Sequence, residues 1–204
     1  MFTGLIRYRG EMLSRQGSVD GERIVIALRD DIPDLEEGDS LAVNGVCLTV
    51  LNISPQRFSA DLSRETLAMT TLSQLYAGEE LNLEPSLCLG DTLDGHLVSG
   101  HVDAIGHVRY IEMQSLSAKV RISAPARLLP LIAVKGSIAI DGVSLTVNEV
   151  DAEGFCVQLI PHTRERSTLG ALKAGRAVNL EADLLARYVT RYLDATRHND
   201  RIDG

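Results

Sequence analysis

The chain has 204 residues, enough for one large domain or for two of about 100 residues. Hydrophobic residues make up 45% and argue against a disordered or fibrous chain, but aromatics are only 4% and Trp is absent, so Leu, Val, Ile and Ala must fill the core. A formal charge of -8 weighs against nucleic acid as a partner, because affinity for a phosphate backbone rests on clustered Lys and Arg.

The opening MFTGLIRYRG lacks the basic-then-apolar pattern of a secretion leader, and no stretch reaches the roughly 18 apolar residues of a membrane span. A cytoplasmic protein without a membrane partner is expected. Cys47, Cys88 and Cys156 are odd in number and follow no metal-ligand spacing, so reduced thiols are expected, with neither a disulfide framework nor a zinc site. RIVIALR at 23–29 alternates as a strand does. Leu41-Ala42-Val43, the turn signal Asn44-Gly45 and the β-branched run CLTVLNI at 47–53 then read as strand, turn and strand. Residues 66–75 have room for a helical turn, after which Gly78 marks a return into the strand LNLE.

From there the chain repeats itself. NGVCLTV at 44–50 returns as DGVSLTV at 141–147, a spacing of 97, and residues 58–84 return without a gap at 155–181. The openings match at 96, with FTGLIRYRG at 2–10 against VSGHVDAIG at 98–106. The second copy offers LSAKVRIS at 116–123, a short helix opened by Pro125 and limited by Pro130, Ile138-Ala139-Ile140, SLTVNEV at 144–150, and a second helical turn within 163–172. Short strands in a duplicated unit of this size suit closed antiparallel barrels, with a sandwich as the other solution. The expected units are 1–96 and 97–183, followed by a helical tail at 184–204. In that tail Leu184, Leu185, Tyr188, Val189, Tyr192 and Leu193 share one side. The stripe either caps its own barrel or meets another subunit.

NGVCLTV, GHLVSGHVD at 95–103, KGSIAIDGVSLTV at 135–147, IPHT at 160–163, the opening MFTG and the closing VNLEADLLARYV together resemble the alpha-chain riboflavin synthase family of lumazine-binding double barrels. The resemblance covers nearly the whole chain. It implies an all-β fold of two tandem six-stranded antiparallel Greek-key barrels with a C-terminal helix, assembled as a homotrimer with sites between subunits. The implied reaction is dismutation of two 6,7-dimethyl-8-ribityllumazine molecules by four-carbon transfer, giving riboflavin and 5-amino-6-ribitylaminouracil with no cofactor and no metal. A noncatalytic lumazine or flavin carrier is the alternative.

The implied reacting set is His101, Cys47, Ser144, Asp183 and Thr146. His101 is suited to move the proton of a lumazine methyl group or to polarise a water, or else it holds the junction between barrels. Cys47 is a thiolate at a ring carbon or a small buried hydrophobe. Ser144 and Thr146 alternate to one side of a strand, where partners for their hydroxyls are needed if they are buried. Asp183 is a helix N-cap or a contact to the ribityl chain. Lys135 is a solvated cation or a contact to the ring carbonyls from across the interface. The resemblance also assigns binding surface to Gly4, Leu5, Ile6, Leu48, Thr49, Gly100, Val102 and Leu145, and to two matched segments. These are Asp61, Leu62, Ser63, Arg64, Glu65 and Thr66, and Leu159, Ile160, Pro161, His162, Thr163 and Arg164. Four features depart from the family pattern: His162 in place of a frequent glutamate, Arg7-Tyr8 after MFTG, Pro85-Ser86 after LNLE, and Asp94-Gly95 for a more usual Gly-Gly. The copies themselves differ: Cys47 becomes Ser144, and His101 aligns with Leu5.

Overall fold

A computed structural model describes residues 1–199. The first half carries β1 (Tyr8–Gly17), β2 (Gly21–Leu28), β3 (Ser40–Val43), β4 (Val46–Thr49), β5 (Leu51–Ser54), β6 (Arg57–Ser63), α1 (Arg64–Met69) and β7 (Glu80–Pro85). The second half carries β8 (Ala104–Gln114), β9 (Ser117–Ser123), β10 (Ser137–Ile140), β11 (Val143–Asp151), β12 (Gly154–Leu159), α2 (Pro161–Arg166) and β13 (Ala177–Ala182). The tail forms α3 (Leu184–Asn199). All strand pairs are antiparallel.

The all-β expectation holds, but that of two six-stranded barrels does not. Only the second half closes, in the order β10-β11-β12-β9-β8-β13; the first is a seven-stranded sheet, β4-β3-β7-β1-β2-β6-β5, that is not fully closed. The cause is local. In the second half one long strand, β11, pairs with β10 through Ser144 and Thr146 and with β12 through Val147 and Asp151, joining the ring. In the first half the same stretch breaks at Val50 into β4, on β3, and β5, on β6, which become opposite edges of the sheet.

Asn52, two residues past the break, has φ 46, a left-handed conformation that Asn tolerates because its short side chain bonds locally. Its Nδ2 donates to Ser59 Oγ at 3.0 Å, and Ser59 Oγ donates to the Leu51 carbonyl at 3.1 Å. Glu149, at the equivalent position, stays in the strand and pairs with Lys119 at 2.7 Å. The β-branched run 47–53, expected as one strand, is thus two.

Period-two alternation sends one face of each sheet inward. Ile24, Ile26, Phe58 and Leu62 pack with Leu41 and Leu83 in the first half; Val120, Ile122, Phe155 and Val157 pack with Ile138 and Leu180 in the second. A small third cluster, Phe2, Ala42, Val98 and Ala139, lies between the halves. Polar cross-ties flank it. Asn82 Nδ2 donates to the Asp141 carbonyl at 2.9 Å, and Asn179 Nδ2 donates to the Asn44 carbonyl at 2.8 Å, an exchange that repeats the internal symmetry of the sequence. The helical turns start earlier than expected, at Arg64, where Ser63 Oγ accepts from Thr66 N at 3.0 Å, and at Pro161. The Pro125 segment gives only a turn and a 3-10 element at Leu129–Leu131.

Candidate functional site

Each half begins with an entry segment that is anchored by its own half and laid across the other. Thr3 donates to Glu84 Oε1 from its amide at 2.6 Å and its hydroxyl at 2.7 Å, and Gly4 N donates to Oε2 at 3.0 Å. Ser99 and Gly100 repeat this on Glu181, at 2.6, 2.6 and 3.0 Å. Both carboxylates are 3% exposed, and burial pushes both above the usual carboxyl range while the donated hydrogen bonds pull the other way.

Beyond the anchors the segments cross over. Cys47 N donates to the Gly100 carbonyl at 2.9 Å, and Ser144 N donates to the Gly4 carbonyl at 2.7 Å. The approach requires glycine at both places. A Cβ on Gly100 would lie 2.6 Å from Cys47 Cβ, one on Gly4 would lie 2.6 Å from Ser144 Cβ, and both residues have φ near +80°. Phe2 and Val98 exchange backbone hydrogen bonds at 2.8 and 3.0 Å, tying the two segments together.

The first cup is a cleft of about 270 Å³ where Val46, Cys47, Glu65, Thr66 and Met69 of the first half meet Gly100, His101 and Val102 of the second. Cys47 is half-buried and His101 is exposed, so a thiol and an imidazole from opposite halves share one opening. The equivalent surface in the second half brings Ser144 against Gly4, with Thr163 placed as Thr66 is: Thr70 Oγ1 and Ser167 Oγ donate to the Thr66 and Thr163 carbonyls, each at 2.6 Å.

His96, not singled out from the sequence, belongs to this second surface. It is 8% exposed, and its Nδ1 lies 2.6 Å from Ser144 Oγ. Burial lowers its pKa, opposed by the negative charge of Asp183. Its Nε2 is buried without a hydrogen-bond partner in the described residues.

The remaining candidates divide. Leu48, Leu62, Leu145 and Leu159 are buried in the two cores. Thr49 and Thr146 are exposed, as are Ile160, Pro161 and His162 at the start of α2; Arg164 is half-buried. Asp61, Leu62 and Ser63 line a different cleft, about 550 Å³, that contains neither Cys47 nor His101. The fork of Arg23 holds the Asp61 carboxylate there at 2.6 and 2.7 Å and lowers its pKa. Although larger, that cleft has neither a thiol nor an imidazole in its lining, and two of its carboxylates, Asp61 and Glu22, are held by Arg23 and Arg15, so the smaller one better fits chemistry. Arg64 turns away to the Val19 carbonyl. Leu5 is 39% exposed, and Ile6 packs at the edge of the second core. Asp183 accepts from Leu185 N at 2.9 Å, the N-cap geometry.

Lys135 is exposed at φ 68, the left-handed region, where the equivalent residue of the first half is Gly38 at φ 99. Along α3, Leu185, Tyr188, Val189 and Tyr192 are each more than half exposed, so the stripe does not cap its own barrel. Among the described residues no helix is long and apolar enough to cross a membrane.

Comparison with known proteins gives one family. The lumazine binding domain family matches residues 3–86 and again 99–183. The chain is 45% identical over 197 residues to the riboflavin synthase of Mycobacterium tuberculosis (strain H37Rv), covering 95% of this chain and 98% of that one. It is 34% identical over 199 residues to the riboflavin synthase of Bacillus subtilis (strain 168), covering 98% and 93%. Among solved structures, LumP complexed with riboflavin superposes with a TM-score of 0.81 at 27% identity, over 89% of this chain and 99% of that one. LumP complexed with 6,7-dimethyl-8-(1'-D-ribityl) lumazine does so with a TM-score of 0.78 at 26% identity, over 89% and 99%.

Proposed function

The chain belongs to the riboflavin synthase family, with two lumazine binding domains in tandem, and we propose that its two unlike cups carry out the dismutation of 6,7-dimethyl-8-ribityllumazine. One molecule gives a four-carbon unit to the other, and the products are riboflavin and 5-amino-6-ribitylaminouracil. An exchange between two copies of one substrate balances its own atoms and electrons.

The observation that carries this reading is the paired geometry: Cys47 with His101 in one cup, Ser144 with His96 at the equivalent place in the other. Two similar substrates call for two similar pockets, and holding them face to face turns a bimolecular encounter into a unimolecular one, worth on the order of 7–11 kcal/mol when alignment is good. The two roles, donor and acceptor, call for unequal polar groups. His101, exposed at the mouth of the first cup, takes the methyl proton of one lumazine. Cys47 lies against the ring at its floor. His96 Nδ1 pairs with Ser144 Oγ, and the hydroxyl's remaining hydrogen-bonding capacity orients a water at the second ring.

A cleft of about 270 Å³ is small for a whole ligand, since such sites commonly span roughly 300–1,000 Å³. We therefore read each cup as one wall of a site that a neighbouring subunit completes, with the exposed stripe of α3 supporting a homotrimer. Lys135 reaches a pyrimidinedione carbonyl from across that interface; Thr49, Thr146 and the starts of α1 and α2 receive ring edge and ribityl chain. Units 1–96 and 97–183 are the two binding domains, and reduced Cys47 suits the cytoplasm.

Purified protein incubated with 6,7-dimethyl-8-ribityllumazine should yield riboflavin and 5-amino-6-ribitylaminouracil in equal amounts. Tight binding of a single ligand per chain with no turnover would instead make the protein a carrier.

A further inference from the structure

Glu84 and Glu181 are the penultimate residues of strands β7 and β13, both buried, and the proposed reaction does not use them. Three donors converge on each carboxylate at 2.6–3.0 Å, occupying both oxygens. An amide could not replace either without turning its NH2 group toward an N–H or a hydroxyl, because a carboxylate accepts at both ends and an amide at one. What the carboxylates hold is not their own cup. The Ser99-Gly100 segment clamped by Glu181 passes its Gly100 carbonyl to Cys47 N at 2.9 Å and leads directly into His101 and Val102. The Thr3-Gly4 segment clamped by Glu84 passes its Gly4 carbonyl to Ser144 N at 2.7 Å and leads into Leu5 and Ile6.

We infer that the two buried carboxylates are crossed positioning residues: Glu181 of the second half sets the first cup, and Glu84 of the first half sets the second. In each case the carboxylate fixes the backbone that carries one wall of the cup, and the glycine contact leaves that wall no slack: the missing Cβ atoms would sit 2.6 Å from Cys47 and Ser144 Cβ. His101 thus takes its place at the first cup from a carboxylate of its own, second half, not from the half whose Cys47 it faces. The backbone exchange of Phe2 with Val98 lies between the two clamps and joins them, so the cups share a frame. Where ligand binding is concerned, this inference rests on the reading that the cups receive lumazine or flavin rings.

The test is made on the full chain with Glu181→Gln and Glu84→Gln. Amide hydrogen exchange needs no ligand: in Glu181→Gln the Cys47 amide should exchange about tenfold faster while the Ser144 amide stays within about twofold, and Glu84→Gln should reverse the pattern. Riboflavin is then titrated while the methyl resonances of Val102 report the first cup and those of Ile6 the second. Glu181→Gln should weaken the first cup about tenfold and Glu84→Gln the second, each sparing the other within about twofold. A role confined to each carboxylate's own half predicts the uncrossed pattern, and a general loss of stability predicts equal loss in both cups; either result overturns the inference. If a Gln variant does not fold, Ser99→Ala and Thr3→Ala, which each remove one donor from an intact carboxylate, should show the same crossed pattern at smaller amplitude, and its absence overturns the inference. If the wild-type protein binds no riboflavin, the lumazine reading fails, and the exchange pattern still decides the carboxylates.

Discussion

The second half of the molecule is a ring and the first is a ring left open, although both follow one strand order and one hydrogen-bond plan. Backbone pairing survives at the turn: Gly38 N donates to the Val50 carbonyl at 2.9 Å just as Lys135 N donates to the Val147 carbonyl at 2.7 Å. The halves part at single residues. Asn52 turns the chain out of its strand where Glu149, beside a bulge, stays in one, Asp141 replaces Asn44, Lys135 replaces Gly38, Ser144 replaces Cys47, and His101 stands where Leu5 does. A duplicated frame thus retains its interior and its cross-ties and diverges at single positions on the turns and cup rims.

Making the second entry segment like the first should have the largest effect. His101→Leu keeps the clamp on Glu181 but removes the imidazole proposed as the acid-base group, and kcat should fall roughly 100-fold with the fold unchanged by circular dichroism. Retention of most of the activity would remove His101 from the chemistry.

Asp141→Asn makes the second turn like the first. Asp141 is buried, and desolvation raises its pKa from 3.8 to about 7, with Asn179 N donating to Oδ1 at 2.7 Å and the nearby Arg176 opposing the rise. Between those two values the native chain keeps a proton that the unfolded chain has lost. Asp141 therefore contributes to stability most fully below pH 3.8, and that contribution is lost as pH rises toward 7, a change on the order of a few kcal/mol. Asn can accept the same backbone bond, as Asn44 does from Asn82 N at 2.8 Å. Urea unfolding should show the variant overtaking wild type by pH 8; equal pH dependence in the two proteins would refute the assignment.

The open edge is tested at Asn52. Val there must adopt a left-handed backbone and should cost about 1–2 kcal/mol in urea unfolding, whereas Asn52→Gly should stay within about 0.5 kcal/mol. Equal tolerance of both would mean that the φ of 46 does not hold the strand break. The smallest expected shift is at Lys135: Lys135→Gly, copying Gly38, should add about 1 kcal/mol of stability by relieving its left-handed strain while weakening riboflavin binding. A gain in stability without loss of affinity would leave Lys135 outside the site.

Much of this was legible from the repeat. Alternation, the Asn44-Gly45 and Asp141-Gly142 turns and LNLE against VNLE point to two β units, because side-chain period and turn chemistry are local properties. The break at Val50 was not legible, since CLTVLNI and SLTVNEV have the same β character and the difference lies in one backbone angle at Asn52. His101, Cys47 and Ser144 stood out by motif. His96, five residues before His101, did not, because its role depends on contact with Ser144 across 48 positions of chain. Glu84 and Glu181 carried a signal that could have been read: an acid closing an apolar strand in both copies implies a buried carboxylate with waiting donors. Asp61 shows the opposite case, a motif position whose carboxylate is already taken by Arg23.

The most direct test of a site shared between unlike cups is complementation. His101→Leu chains, with a spoiled first cup, are mixed with Ser144→Ala chains, with a spoiled second cup, and the subunits are exchanged by mild dissociation and reassembly. If unlike cups of neighbouring chains form the site, mixed assemblies contain intact pairs, and riboflavin formation should rise well above that of either parent. Activity that stays at the parental level, in assemblies shown by mass to be mixed, would contradict the account.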